Sequence, residues 1–549
     1  MIADFFEDFF ERKAGFYVIL LIAMIVQTFP FGFRYFAYAD DWFSLGMFSL
    51  YTENIWQDVV LHFELYGFRP LAGIAEAFLV SAFWPNMWPV LLTITLMRFF
   101  TLCLLEKVLA RSHIVWGRAA TVFFAFFPTL TESTYWLSAS VRIVPAGFFA
   151  VLAAYTMLRF IYRDGRKWLA IALISGLVAQ GFYEQGIIFT FVLTFGVLVL
   201  HWNAIKHRIL LAWPFVNLAI IGIHYFIFRN VGWLGGRVGE EVDLNFIQHI
   251  PIVVARIGRI FVMEQYPTVT NTLRWGIVEL LPEHLPLILS VAILSAILAL
   301  FVIFERRDAF TSGRPRRSIL AALVLGTSTL AVFFVLVGGW VYVRNFYFVL
   351  IGIAILVEML VRLTEPRRNR LGVSHANRAV VALRGLAAGV VVFIFSMGYI
   401  LEVDSLRKAE YHDNNIIVQI VAKLEYMGVN PEEEVWLFGV RWNYERKINP
   451  RIVSQLRDEW SVNAHYRYAH ASRNNLNALD QHHWIVPVKA NEQETNMEFI
   501  GHVLLGLDND LQVRELYFSN GYLFFADDNE IFGVIITDEG GKLVMEAGQ

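Results

Sequence analysis

The run Ala14-Gly15-Phe16-Tyr17-Val18-Ile19-Leu20-Leu21-Ile22-Ala23-Met24-Ile25-Val26-Gln27-Thr28-Phe29-Pro30-Phe31, followed a few residues on by Tyr38-Ala39-Asp40-Asp41-Trp42, decides how the chain is read. The run is long enough to cross a hydrocarbon core about 30 Å thick. The two adjacent carboxylates stand just beyond it in water, where ionisation costs little. Phe36, Tyr38, Trp42 and Phe43 surround them and place them at the interface where aromatic residues collect. An acidic pair held at a membrane surface suits chemistry on a lipid-borne substrate; a solvated acidic loop is the plainer alternative.

Apolar runs of similar length recur through the first 400 residues of this 549-residue chain, which is 57% hydrophobic with 48 Phe and 16 Trp. A soluble fold cannot bury so many, so the chain reads as a polytopic α-helical membrane protein. The net charge of −3 gives no basic field that would argue for nucleic acid. A single cysteine, Cys103, excludes a disulfide framework. Met1 to Lys13 has acids before Arg12 and Lys13 and no small-residue cleavage site, so Ala14–Phe31 reads as a retained span.

Basic clusters at Lys107–Arg118, Arg163–Lys167, Lys206–Arg208, Glu305–Arg317 and Arg362–Arg384 mark the cytoplasmic loops. All fall inside if Arg69–Trp84 is a juxtamembrane or re-entrant helix. The spans then run roughly 14–33, 88–109, 116–130, 143–162, 167–181, 185–202, 209–228, 284–304, 318–338, 343–363 and 382–402. That is about eleven helices in a cell (inner) membrane, with the N-terminus cytoplasmic and the C-terminus outside. Residues 1–402 form the transmembrane part, with 34–87 as its first external loop. Residues 403–549, where charged and amide residues become common, read as an extracytoplasmic α/β domain. Asn414–Tyr426 has helical periodicity, and Glu434–Val440, His483–Val488 and Ile531–Thr537 read as strands.

The external side collects the polar residues able to carry chemistry. Asp40 and Asp41 are candidate general bases for an acceptor hydroxyl or amide, and their mutual repulsion divides the roles of base and orienter. Glu132 and Glu184 stand at the outer ends of two hairpins; they line a sugar pocket, hold the acidic loop or are helix-end carboxylates in water. Arg69, Arg142, Arg256, Arg259, Arg274 and Arg344 are available to neutralise a phosphate. Arg344, beside Trp340 and Tyr342, and Arg142 suit that role best, and contact with lipid headgroups is the alternative for the rest. No histidine has a partner at metal-ligand spacing. No Walker loop, dinucleotide turn or nucleophile elbow is present, so ATP-driven transport has no support.

Taken together, Tyr38–Trp42 after the first span and Phe68-Arg69-Pro70-Leu71 resemble the GT-C superfamily of integral membrane glycosyltransferases. Phe127-Pro128-Thr129-Leu130-Thr131-Glu132, with Trp136 and Arg142, looks like a motif of the membrane half of O-mannosyltransferases and their bacterial relatives. Tyr183-Glu184-Gln185-Gly186-Ile187 is similar to a further turn of that group. The resemblance implies transfer of a sugar from a polyprenyl-phosphate donor to an extracytoplasmic glycan, lipid or protein, usually with inversion. Asp40 or Asp41 is then the catalytic residue, and Arg69, Glu132, Arg142, Glu184, Tyr342 and Arg344 bind substrate. No cofactor is required, and a divalent metal is compatible with the phosphate leaving group. A transporter or flippase of lipid-linked glycan is the alternative; it places polar residues near the midplane, often on inverted repeats.

Overall fold

The computed structural model describes residues 13–37, 41–42, 56, 59–60, 69–112, 114, 116–127, 130–163, 165–206, 208–231, 246–260, 262, 270–271, 274, 277–305, 315–335, 343–363, 375–430, 433–439, 456, 459–474, 484–487, 503–507, 510, 512–519, 522–528, 530–537 and 543–547. Asp40 and Tyr342 lie outside them. The chain forms two compact units. The first holds 1–35, 59–79 and 86–403; the second holds 36–58, 80–85 and 404–549. The acidic stretch therefore shares a compact unit with the C-terminal residues.

The first unit is helical. Five helices among the described residues are long and apolar enough to cross a membrane: Trp88–Arg111, Leu137–Arg163, Leu280–Ile303, Val343–Val361 and Gly385–Met427. Shorter apolar helices accompany them, among them Lys13–Thr28 and Glu184–Leu200. These elements make the chain a membrane protein. Some expected spans take another form. Among the described residues of 116–130 is the helix Arg118–Phe126, whose nine residues rise about 14 Å before the sequence Phe127-Pro128, which disfavours its continuation. The described part of 318–338 belongs to the α-helix Pro315–Ser328 and then the tighter 3-10 turns Thr329–Val335. Pro70–Phe83, expected as a juxtamembrane or re-entrant helix and not as a span, has 14 residues, about 21 Å.

The start of the Arg118–Phe126 helix shows how the unit handles free backbone donors at depth. Glu305 accepts the Arg118 N–H at 3.2 Å, and the buried Glu358 accepts the Ala120 N–H at 3.1 Å. Two carboxylates thus meet the positive end of the helix dipole. Arg118 in turn donates from Nη1 to the Phe301 carbonyl at 2.7 Å.

Elsewhere the helices meet through small residues. A Cβ on Gly352 would strike the Thr329 hydroxyl and the Gly326 carbonyl, and a Cβ on Gly326 would stand 3.1 Å from the Gly352 carbonyl. Two backbones approach each other there, and backbone does not move aside as a side chain does. Gly352→Ala is therefore expected to lower stability by about 1–3 kcal/mol. Thermal unfolding of the purified protein checks this, and an unchanged midpoint would refute the close crossing.

The second unit contains a seven-stranded sheet: β1 Glu434–Phe438, β2 Trp484–Pro487, β3 Val503–Leu507, β4 Val513–Ser519, β5 Tyr522–Phe525, β6 Ile531–Thr537 and β7 Leu543–Ala547, in the order β2-β1-β3-β4-β5-β6-β7. β1 runs parallel to β2 and β3, and the remaining pairs are antiparallel. Ile416, Ile417, Ile420 and Leu424 of the helix His375–Met427 pack with Val435, Leu437, Ile485 and Leu505 of the sheet and with Val462 and Tyr466 of the helix Glu459–Asn474. Asn463 clamps the Ile485 backbone with two hydrogen bonds of 2.8 Å, so the second helix is fastened to β2.

Candidate functional site

In the first unit, the candidate residues are paired with one another across long sequence separations. Arg69, just ahead of the Pro70–Phe83 helix, forks onto Glu184: Nε donates to Oε2 and Nη2 to Oε1, both at 2.6 Å. Pro70 is suited to that helix start because it has no N–H to satisfy there. Leu71 packs where a Cβ on Gly181 would lie. Tyr183 is the extended residue between the helices Arg166–Phe182 and Glu184–Leu200, and the Arg69 guanidinium lies 4.6 Å from its ring centroid.

The Tyr183 hydroxyl accepts a hydrogen bond from Asn345 Nδ2 at 3.2 Å. The neighbouring Arg344 donates from Nη1 to Glu132 Oε1 at 3.4 Å and lies 5.3 Å from the centroid of Trp136. Arg142 forks onto Glu76: Nε donates to Oε1, and Nη2 to Oε2 at 2.9 Å. Arg69, Arg142 and Arg344 all stand close enough to Tyr183 for their charges to act on its hydroxyl.

The pairs differ in tightness. Arg69–Glu184 and Arg142–Glu76 are bidentate and largely buried. The Arg344–Glu132 contact is longer, with side chains 22% and 20% exposed.

In the second unit, Asp41 is fully buried. Trp42 stacks on His465, ring centroids 3.7 Å apart and planes 12° apart. Trp84 meets Trp42 edge-on at 5.3 Å, and Tyr468 lies 5.7 Å from both indoles. His465 Nε2 lies 2.6 Å from Asn414 Oδ1, and burial pushes the imidazole down to about 3, so it is neutral and Nε2 is the donor.

Glu410 stands on the helix His375–Met427 beyond its apolar part, which ends near Leu401. Its Oε1 accepts the Ala37 N–H at 3.1 Å. Burial pushes its carboxyl up to about 7, opposed by that hydrogen bond and reinforced by the charges of Asp41 and Asp413. Nearby on the helix, Asp404 differs in being held by Arg407 at 2.7 Å and Lys408 at 3.2 Å. Among the described residues, no three His, Cys, Asp or Glu side chains group as a metal site.

Sequence reading did not single out Glu76, Arg98 or Glu410 as site residues. Glu76 is an acid within the otherwise apolar helix Pro70–Phe83, and that was a usable signal. Arg98 lies in the middle of an apolar run, itself a mark of function or special pairing. It is fully buried and donates from Nη2 to the Ala125 carbonyl, at the negative end of the Arg118–Phe126 helix. Glu410 carried no local signal.

No protein-family model and no curated protein matches the chain. Among solved structures, ArnT from Cupriavidus metallidurans bound to undecaprenyl phosphate is similar to it, with 13% identity, 87% of this chain and 86% of that chain covered, and a TM-score of 0.35. A likeness that loose fixes no residue correspondence.

Proposed function

We propose that the protein is a membrane glycosyltransferase that moves a sugar from a polyprenyl-phosphate donor to a hydroxyl-bearing acceptor outside the cell membrane. One observation carries the reading. The sequence segments that resemble glycosyltransferase motifs, 68–71, 127–136 and 183–187, are bonded to each other and to Arg344-Asn345 through Arg69–Glu184, Arg344–Glu132 and Asn345–Tyr183. Separate loops that merely faced water would have no reason to assemble in this way. The eleven-span topology, with basic loops inside and residues 403–549 outside, belongs to the same reading, as do a glycan, lipid or protein acceptor and roles for Asp40 and Tyr342.

In this mechanism Arg344 takes the donor phosphate, leaving Glu132 as it does so, while Arg142 and Arg69 keep the surrounding helices in place. An acceptor oxygen attacks the anomeric carbon. Its proton passes to the carboxylate of Asp41 or Asp40, and the bond from the anomeric carbon to the phosphate oxygen breaks with its electron pair remaining on the phosphate. The charge that develops there meets the guanidinium. One displacement inverts the anomeric centre.

The test is a transfer assay with the purified protein and a panel of radiolabelled polyprenyl-phosphate monosaccharides. Sugar transfer from at least one donor is the expected result. No donor consumed, while lipid-linked glycan crosses vesicles, would replace this reading by the transporter. Within the assay, Arg344→Gln is expected to raise the donor KM by roughly 10-fold or more, since a charge-assisted phosphate contact is worth about 1.5–3 kcal/mol. An unchanged KM would remove Arg344 from the phosphate site.

A further inference from the structure

We propose that the membrane part binds one ordered water molecule between Gln27, Ser295 and Ser396, and that this water joins the helix Lys13–Thr28 to the helices Ile277–Ile303 and His375–Met427. The inference goes beyond the glycosyltransferase reading and does not rest on it.

The sequence of the first helix already contains the anomaly. Phe16, Leu20, Ala23 and Gln27 recur at the spacing of one helix face, and all four are buried. Three are apolar, and Phe16 packs edge-on against Phe301 with ring centroids 5.8 Å apart. Three turns further on, the same face presents an amide. Gln27 is 1% exposed, and neither its Nε2 nor its Oε1 has a hydrogen-bond partner among the described residues. An amide buried among membrane helices cannot turn to bulk water, so leaving both atoms unpaired is costly.

Packing makes room beside that amide. Gly385 and Gly389 stand one helical turn apart on His375–Met427, the small-residue spacing that brings membrane helices close. A Cβ on Gly385 would overlap the Ile303 side chain, and one on Gly389 would stand 3.0 Å from the Ala299 Cβ. Gly385 therefore opposes Ile303 and Gly389 opposes Ala299, so the two helices run antiparallel. Continued along that register, Val392 and Ser396 come opposite Ser295 and Val291. Glycine no longer makes the contact there, and a cavity opens, lined by these four residues together with Gln27 and Phe126 among others.

The chemistry of the cavity selects its occupant. Among the described residues no charged side chain lines it, so neither a cation nor an anion is matched there. A hydrocarbon group would suit the aliphatic wall and leave the amide unpaired. The room is that of about one water molecule. Water accepts from Gln27 Nε2 or donates to Oε1, and it keeps sites for the hydroxyls of Ser295 and Ser396, which are 3% and 4% exposed. Buried waters make about three such bonds.

The consequence is mechanical. At its Phe16 end the first helix is fixed by ring packing, and at its Gln27 end by a hydrogen-bonded molecule that three helices share. A change at one wall of the site is then felt at the others through the water, although Gln27 bonds neither serine directly.

The experiment is a structure of the full chain in a lipid environment, at a resolution that shows ordered water, with a thermal-unfolding cycle in nanodiscs alongside. The expected density is one compact peak within hydrogen-bond distance of Gln27 and of Ser295 or Ser396, lost in Gln27→Leu. In unfolding, the double variant Ser295→Ala with Ser396→Ala is expected to lower the wild-type midpoint by about 1–3 °C. Added to Gln27→Leu, the same two substitutions should leave the midpoint unchanged, because no water remains to lose. A cavity without density, a Gln27 amide bonded directly to protein, or elongated density continuous with lipid overturns the proposal. So does a serine effect of equal size in the two backgrounds. If Gln27→Leu fails to fold, the wild-type density decides alone. Neither readout needs a sugar donor, so failure here leaves the transfer reading standing, and failure of the transfer assay leaves the water in place.

Discussion

Asp41→Asn is expected to lower the rate of sugar transfer by roughly 10²–10⁴-fold, the range over which a positioned general base contributes. Asn has the shape of Asp and retains one oxygen acceptor, so the buried surroundings of Asp41, including the stack of Trp42 on His465, are preserved. What it loses is the capacity to take a proton. The donor KM should change little, because the proposed mechanism gives phosphate binding to Arg344. Initial rates at saturating donor, with thermal unfolding run alongside, check the expectation. Asp40→Asn is the necessary companion, because the sequence offers either carboxylate and Asp40 is outside the described residues. A large loss in one variant alone assigns the base; full turnover in both removes the acidic stretch from the chemistry.

The sequence made visible what depends on local composition, and it hid what depends on distant partners. Apolar runs announce membrane helices because lipid offers the backbone no other partner. β1, β2 and β6 stood out as apolar, partly β-branched stretches. β3, whose sequence is Val503-Leu504-Leu505-Gly506-Leu507, and β7 lacked the alternation that marks a half-buried strand, and β5 has only four residues. The shortening of 116–130 was implicit in Phe127-Pro128, but a hydropathy reading runs across such a break.

Site residues followed the same division. Arg69, Glu132, Arg142, Glu184 and Arg344 were legible as polar residues at apolar ends. Their pairing was not, since Arg344 and Glu132 are 212 positions apart and Arg69 and Glu184 are 115. Glu410 shows the limit most clearly. On its own it is an ordinary acid in a long helix, and its hydrogen-bond partner Ala37 is 373 positions away.

The largest loss of stability is expected at Arg142–Glu76. Glu76 is fully buried and Arg142 nearly so, and their two hydrogen bonds consume the fork of the guanidinium. Removing one partner strands the other charge in a place that water does not reach, which costs about 3–5 kcal/mol. Glu76→Gln and Arg142→Met should each fall in that range. The double substitution with apolar residues should recover much of the loss, because no charge is then left unpaired. The partly exposed Arg344–Glu132 pair should behave differently, with Glu132→Gln costing no more than about 1 kcal/mol. A double-mutant cycle on thermal or denaturant unfolding measures both couplings. If the couplings are equal, the distinction between a structural arginine and one that exchanges its carboxylate partner for phosphate fails. If Arg142–Glu76 is strongly coupled and Arg344–Glu132 weakly, the first pair holds helices together and the second is the one into which the proposed donor phosphate can exchange.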